Sequence, residues 1–157
     1  MNKAVVLYAE DEANDVILLR RAIRKARLPI ELLAVSDGQY LINWLAGTPP
    51  FDDRRAYPIP ELIVTDLKMP LTHGFEVLRW IYHSREFYGI PLVVYSTSDF
   101  HSDMENSVRL GALAYFRKKH CCSNLVDFLR GWLATRPETQ TPPKRRRNPK
   151  AEEPITA

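Results

Sequence analysis

The stretch Leu62-Ile63-Val64-Thr65-Asp66-Leu67-Lys68-Met69-Pro70 decides the fold. Its first four residues are apolar or β-branched without alternation, which reads as a strand covered on both faces, as in a parallel sheet. The run stops at a carboxylate, and Pro70 follows four residues later. A carboxylate at the carboxyl end of such a strand stands where open α/β sheets bind ligands. By itself it is weak evidence, because aspartate also starts turns.

On either side of this stretch, apolar runs alternate with amphipathic ones. Ala4-Val5-Val6-Leu7-Tyr8-Ala9 reads as a buried strand, followed by a helix over about 13–27. That helix sets Val16, Leu19, Ile23 and Ala26 on one face and mostly Arg20, Arg21, Arg24 and Lys25 on the other. Ile30 to Val35 reads as a second strand, and Ser36-Asp37-Gly38 offers a cap for a helix that Gly47 stops. Residues 48–60 hold four prolines and four consecutive charges, so a long surface loop is expected there. The third strand is 61–66, and Gly74 leads into a helix with Phe75, Val77, Leu78 and Ile81. A fourth strand over about 91–96, a helix over about 101–110, a fifth strand over about 113–117 and a last helix over about 123–134 complete five βα units. Parallel crossovers need covering helices, so the pattern predicts an α/β, doubly wound parallel sheet, without fixing its strand order.

The chain has 157 residues, enough for one domain with a proper core. With 45% hydrophobic and 26% charged residues it has an ordinary globular composition. No apolar stretch is long enough for a membrane span and no signal peptide is evident, so the expectation is a soluble, cytoplasmic protein with no membrane partner. The net charge of +3 is unevenly placed: residues 1–135 carry 16 basic and 16 acidic residues, and residues 136–157 carry six and three. A basic body face for nucleic acid is therefore not expected. The division predicted is a domain over 1–135 and a disordered, basic, proline-rich tail over 136–157. The tail run Lys144-Arg145-Arg146-Arg147 suits a solubilising end better than a binding motif. The adjacent pair Cys121-Cys122 cannot build a disulfide framework or complete a metal site, and reads as two small residues opening a helix. His73, His83, His101 and His120 show no metal-ligand spacing.

Three further apolar runs end in groups that complement Asp66. Glu10-Asp11 follow the first, Ser96 closes the fourth and Lys118 follows the fifth. Each has an ordinary alternative as a cap, a turn residue or a solvated lysine. Together, in order at successive strand ends, they suit a metal-assisted phosphoryl site, where positioning and charge stabilisation dominate.

In these residues the chain resembles the receiver domain of two-component response regulators, of the CheY-like superfamily. The resemblance covers about residues 3–135 and rests on Glu10-Asp11, Asp66 with Pro70 and Gly74, Ser96, Gly111-Ala112, Tyr115 and Lys118. More narrowly, Glu10-Asp11-Glu12-Ala13-Asn14-Asp15, the proline-rich loop and Ser96-Thr97-Ser98-Asp99 are similar to small regulators paired with bacterial phytochromes. The resemblance implies a flavodoxin-like (βα)5 fold of strand order 2-1-3-4-5. It implies a stand-alone phosphorelay switch rather than an enzyme, with a histidine kinase, such as a bacterial phytochrome, as partner. Asp66 is then the phosphoacceptor, aided by Ser96 and Lys118. Mg²⁺ is the implied cofactor, held by Asp11, Asp66 and the backbone carbonyl of Lys68, with Glu10 acting through a water. Ser96 and Tyr115 are implied as the switch pair that alters the face of the fourth helix, fifth strand and fifth helix. A homodimer through the last helix, using Phe128 and Trp132, is one expectation, and core packing of both residues is the other.

One position departs from the family. Proline usually follows the lysine, but here Lys119 does. A cis bond before a non-proline residue costs about 2.5–4 kcal/mol, so a trans Lys118–Lys119 bond is expected, leaving the reach of Lys118 open. Two rival readings stand beside the switch. An aspartyl-phosphate phosphatase would need a second acid two residues after Asp66, where Lys68 stands. A receiver-like module that signals without phosphorylation would not need the full set of acids, hydroxyl and ammonium.

Overall fold

The computed structural model describes residues 2–119 and 121–136, so the tail from 137 onward and His120 lie outside the described residues. The five apolar runs form β1 (Ala4–Ala9), β2 (Ile30–Val35), β3 (Leu62–Thr65), β4 (Leu92–Ser96) and β5 (Ala114–Arg117). The segments between and after them form α1 (Ala13–Lys25), α2 (Gly38–Ala46), α3 (Gly74–His83), α4 (His101–Arg109) and α5 (Ser123–Ala134). The strands make one parallel sheet in the order β2-β1-β3-β4-β5. The order expected from the resemblance is the one found.

Side chains along each strand alternate between two cores, which is why the strand sequences show no polar face. Leu7, Ala9, Ile63, Leu92 and Val94 point to one side, where α2 and α3 add Leu41, Trp44, Leu45, Val77, Leu78 and Ile81. Val6, Tyr8, Leu62, Val64, Val93 and Tyr95 point to the other, where α1 and α5 add Leu19, Ile23, Leu125 and Leu129. Phe128 and Trp132 are half-buried against this second core. The fourth helix is the least embedded: only Ser107 is buried, and Phe100, Met104 and Val108 are exposed one turn apart along it.

The proline-rich connection is more than a surface loop. Phe51 is buried, stacked on Trp44 with ring centroids 5.6 Å apart, and Tyr57 packs edge-on against both rings. Arg54 donates to the carbonyls of Trp44 and Leu45 at 2.7 Å each, satisfying the end of α2 where Gly47 turns left-handed with φ 69°. The charges in this loop hid its aromatic anchors. At the other end of α2, Asp37 accepts from the Tyr40 amide at 2.8 Å, as the sequence predicts.

Chain reversal decides where a site can form. From β1 the chain crosses by α1 to β2 on one side, and from β3 it proceeds to β4 and β5 on the other. The connections therefore part at the carboxyl ends of β1 and β3, opening a crevice there.

Candidate functional site

The crevice gathers the acids that follow β1 and β3. Glu10, Asp11 and Asp66 each offer a carboxylate oxygen within 4.8 Å of the others'. Glu10 and Asp66 are buried, at 3% and 6% exposure, whereas Asp11 faces solvent. Three hard oxygen donors of this kind fit a divalent cation such as Mg²⁺, which keeps several waters beside one or two carboxylates.

Backbone amides fix Asp66. Its Oδ1 accepts from Leu67 N at 2.6 Å and from Lys68 N at 3.3 Å. Gly74 then lets α3 begin directly against this turn: its amide donates to Leu67 O at 3.0 Å. A Cβ at Gly74 would stand 2.2 Å from Asp66 O and 2.8 Å from Leu67 Cα, so no other residue fits without movement. The loop between them holds Leu71 at φ 65° with 84% of its surface exposed.

Lys118 crosses to Asp66 from the end of β5. Its ammonium donates to Asp66 Oδ2 at 2.9 Å, to Asp15 Oδ2 at 2.9 Å and to Glu10 Oε2. The Lys118–Lys119 peptide is trans, as expected, and the ammonium still reaches the phosphoacceptor candidate. Asp15, in the first turn of α1, and Tyr8, whose hydroxyl donates to Glu10 Oε2 at 3.0 Å, also belong to the network. Sequence reasoning gave neither a role in the site. Tyr8 stood only as a residue of the buried first strand and Asp15 only as the end of the Glu10–Asp15 motif, and the partner of Asp15 lies across the fold.

Burial and pairing set the charges. Burial pushes Glu10 up to about 7, against the opposing pull of the Lys118 ammonium. Burial would lower Lys118, but its hydrogen bonds to Glu10, Asp66 and Asp15 override this and hold it above the ordinary lysine value. Lys118 is thus a cation fixed among carboxylates. Burial also raises Tyr8 and Tyr95, so both remain neutral phenols, and Lys118 Nζ lies 5.7 Å from the Tyr95 ring centre.

Ser96 and Tyr115 are joined through one residue. Ser96 is fully buried and its Oγ accepts from Ser98 N at 3.2 Å. Tyr115 donates its hydroxyl to Ser98 O at 2.8 Å. Ser98 Oγ in turn donates to Asp103 of α4 at 2.5 Å. The backbone of Lys118 donates to Ser96 O at 2.7 Å, tying the ends of β4 and β5 together.

Comparison with known proteins agrees with this architecture. A model of the response regulator receiver domain matches residues 6–130. Response regulator Rcp1 of Synechocystis sp. is 29% identical over 135 residues, which span 83% of this chain and 90% of that protein. The crystal structure of the phosphorylated cyanobacterial phytochrome response regulator RcpA is similar with a TM-score of 0.75 and 29% identity, covering 86% of this chain and 97% of that one. The Mn²⁺-bound form of Rcp1 gives 0.74 and 28%, covering 85% and 97%. The strand order, the acids at the carboxyl edge and a family match over most of the chain lead to one conclusion: this chain belongs to the response regulator receiver domain family.

Proposed function

We propose that Asp66 accepts a phosphoryl group from a phosphohistidine on a sensor kinase and that the modified domain then engages a partner. The observation that carries this reading is the single contact set around Asp66: a buried carboxylate pinned by two amides and joined to Lys118 Nζ at 2.9 Å, beside Glu10 and Asp11. In the step, an Asp66 oxygen attacks phosphorus and forms the P–O bond. The P–N bond of the phosphohistidine breaks, and its electron pair leaves on the imidazole nitrogen. Oδ2 is the attacking oxygen in this proposal, because Oδ1 is committed to backbone amides and Lys118 can shift from Oδ2 to a phosphoryl oxygen. Ser96 Oγ hydrogen-bonds a second phosphoryl oxygen.

Asp11, Asp66 and the Lys68 carbonyl hold Mg²⁺ in this reading, with Glu10 binding one of its waters. When bound, the ion supplies charge stabilisation of the transferring phosphoryl oxygens. Similarity to a cyanobacterial phytochrome response regulator and to a bacteriophytochrome response regulator supports a phytochrome-type histidine kinase as donor, and the same proposal sets the transfer in the cytoplasm. Among the described residues no helix is long and apolar enough to cross a membrane. On the output side, drawing Ser96 Oγ toward the phosphoryl group pulls on Ser98, and through it on Tyr115 and α4, shifting the α4–β5–α5 face.

The test is intact-mass measurement after incubation with acetyl phosphate and Mg²⁺, and with a phosphorylated histidine kinase. One added phosphoryl group, absent in Asp66→Asn, is expected. No addition from either donor would support a domain that signals unphosphorylated. Turnover of many equivalents of a phosphate ester would support a phosphatase.

A further inference from the structure

We propose that Asp15 is a positioning residue that aims the Lys118 ammonium at the phosphoryl group on Asp66, an inference that rests on the phosphoacceptor reading above. A lysine ammonium is a compact charge on a flexible stem, with three hydrogens to place. Here each hydrogen meets a carboxylate from a different element: Glu10 after β1, Asp15 on α1 and Asp66 after β3. The Lys118 side chain is only 8% exposed, and Asp15 is the most exposed of the three acids at 33%.

Phosphorylation changes one of these contacts and leaves two. Once Asp66 carries the phosphoryl group, its attacking oxygen has become the bridging oxygen of an acyl phosphate, the carboxylate has lost its charge, and Lys118 turns to a phosphoryl oxygen. Glu10 and Asp15 then remain as the two fixed anchors, and two anchors on one ammonium leave its third hydrogen a single direction. With Glu10 alone, the stem could swing about one bond. Glu10 is itself well fixed, since it accepts from Tyr8 and from Glu12 N. Lys118 itself is held by its backbone bond to Ser96 and by these carboxylates, at the point where the chain leaves β5.

Two observations place Asp15 on the lysine side of the site rather than the metal side. The oxygens grouped closely enough to share an ion belong to Glu10, Asp11 and Asp66, not Asp15. The side chain of Asp15 also caps no helix: the N-terminus of α1 has no side-chain cap, and the Asp15 carboxylate reaches Lys118 instead. Hydrogen bonding from Asp15 contributes to the raised value of Lys118, consistent with a working ion pair.

The experiment measures phosphorylation rate against acetyl phosphate and Mg²⁺ in the wild type, Asp15→Ala, Asp15→Ser and Asp15→Asn. Asp15→Ala and Asp15→Ser remove the anchor, and the maximal rate is expected to fall about tenfold or more through misplacement of the ammonium. The Mg²⁺ concentration giving half the maximal rate should stay the same. Asp15→Asn keeps an oxygen that can accept from Lys118, and should recover most of the rate. Unchanged maximal rates in Ala and Ser, a raised Mg²⁺ requirement with an unchanged maximum, or an Asn variant as slow as Ala each overturn the proposal. A wild-type protein that takes up no phosphoryl group overturns the phosphoacceptor reading itself, and this inference with it.

Discussion

Tyr8 lies under the site with no exposed surface, and its hydroxyl is a buried donor to the buried carboxylate of Glu10. Tyr8→Phe keeps the ring in the core and removes only that donor. Leaving a buried carboxylate one hydrogen bond short should cost about 1–3 kcal/mol, read from the urea midpoint. Equal stability of the variant would mean the hydroxyl contributes nothing. Leu71 presents the opposite case. It holds φ 65° and is 84% exposed, so neither backbone comfort nor burial accounts for leucine there. A left-handed L-residue costs roughly 1–2 kcal/mol, partly offset in glycine by about 0.5–1 kcal/mol of extra unfolded-state freedom. Leu71→Gly is therefore expected to raise stability by about 0.5–1 kcal/mol, and a lower melting temperature would refute the strain argument. At this scale the sequence named Glu10, Asp11, Asp66 and Lys118 from their places at strand ends. It assigned Asp15 and Tyr8 no part in the site, because their importance lies in contacts with Lys118, 103 residues from Asp15, and with Glu10, whose burial only the fold creates.

Among the elements, α3 has the tightest seat. Its first residue, Gly74, lies so close to the Asp66 turn that a Cβ would stand 2.2 Å from a carbonyl oxygen. Gly74→Ala must push the helix start away from β3, and the two amides that pin Asp66 Oδ1 lie in the same turn. The expected result is a loss of about 1–3 kcal/mol, the range for overpacked sites, together with slower phosphorylation of Asp66. Denaturant titration and intact mass measure the two effects, and an alanine variant with wild-type values in both would show that the turn yields freely. Most element positions were readable, since runs of apolar residues, Asp37 as a cap and Gly47 as a stop act locally. The loop over 48–60 was misjudged in part. Its prolines and charges signalled solvent exposure correctly, but Phe51 and Tyr57 close over Trp44, and Arg54 terminates α2. Those contacts join residues from two segments, and local composition does not record them.

For the whole molecule, the proposed switch requires that phosphorylation at the edge of β3 reach the exposed side of α4. The described contacts offer one route: Ser96 to Ser98, then to Tyr115 on β5 and Asp103 on α4. Phe100, Met104 and Val108 lie along the outer side of this helix region, ready to change their presentation if α4 moves. Adding beryllofluoride and Mg²⁺ as a phosphate mimic should change amide hydrogen exchange over residues 98–119 while leaving the paired centre of β1 unchanged. Identical exchange over that segment with and without the mimic would rule out this route. Sedimentation under the same two conditions will show whether the altered face pairs two copies. The sequence alone determined the class of fold, the five βα units and the acids, hydroxyl and ammonium at strand ends, because burial on both faces and turn chemistry act over a few residues. The tertiary structure decided which of these groups meet. The crossing between β1 and β3 brings Glu10, Asp11 and Asp66 into one crevice, and the return of β5 beside β4 delivers Lys118 to them and to Asp15. The physical reason is that an ion pair depends on distance in space, and only the packed sheet brings residues so far apart in the chain within hydrogen-bonding reach.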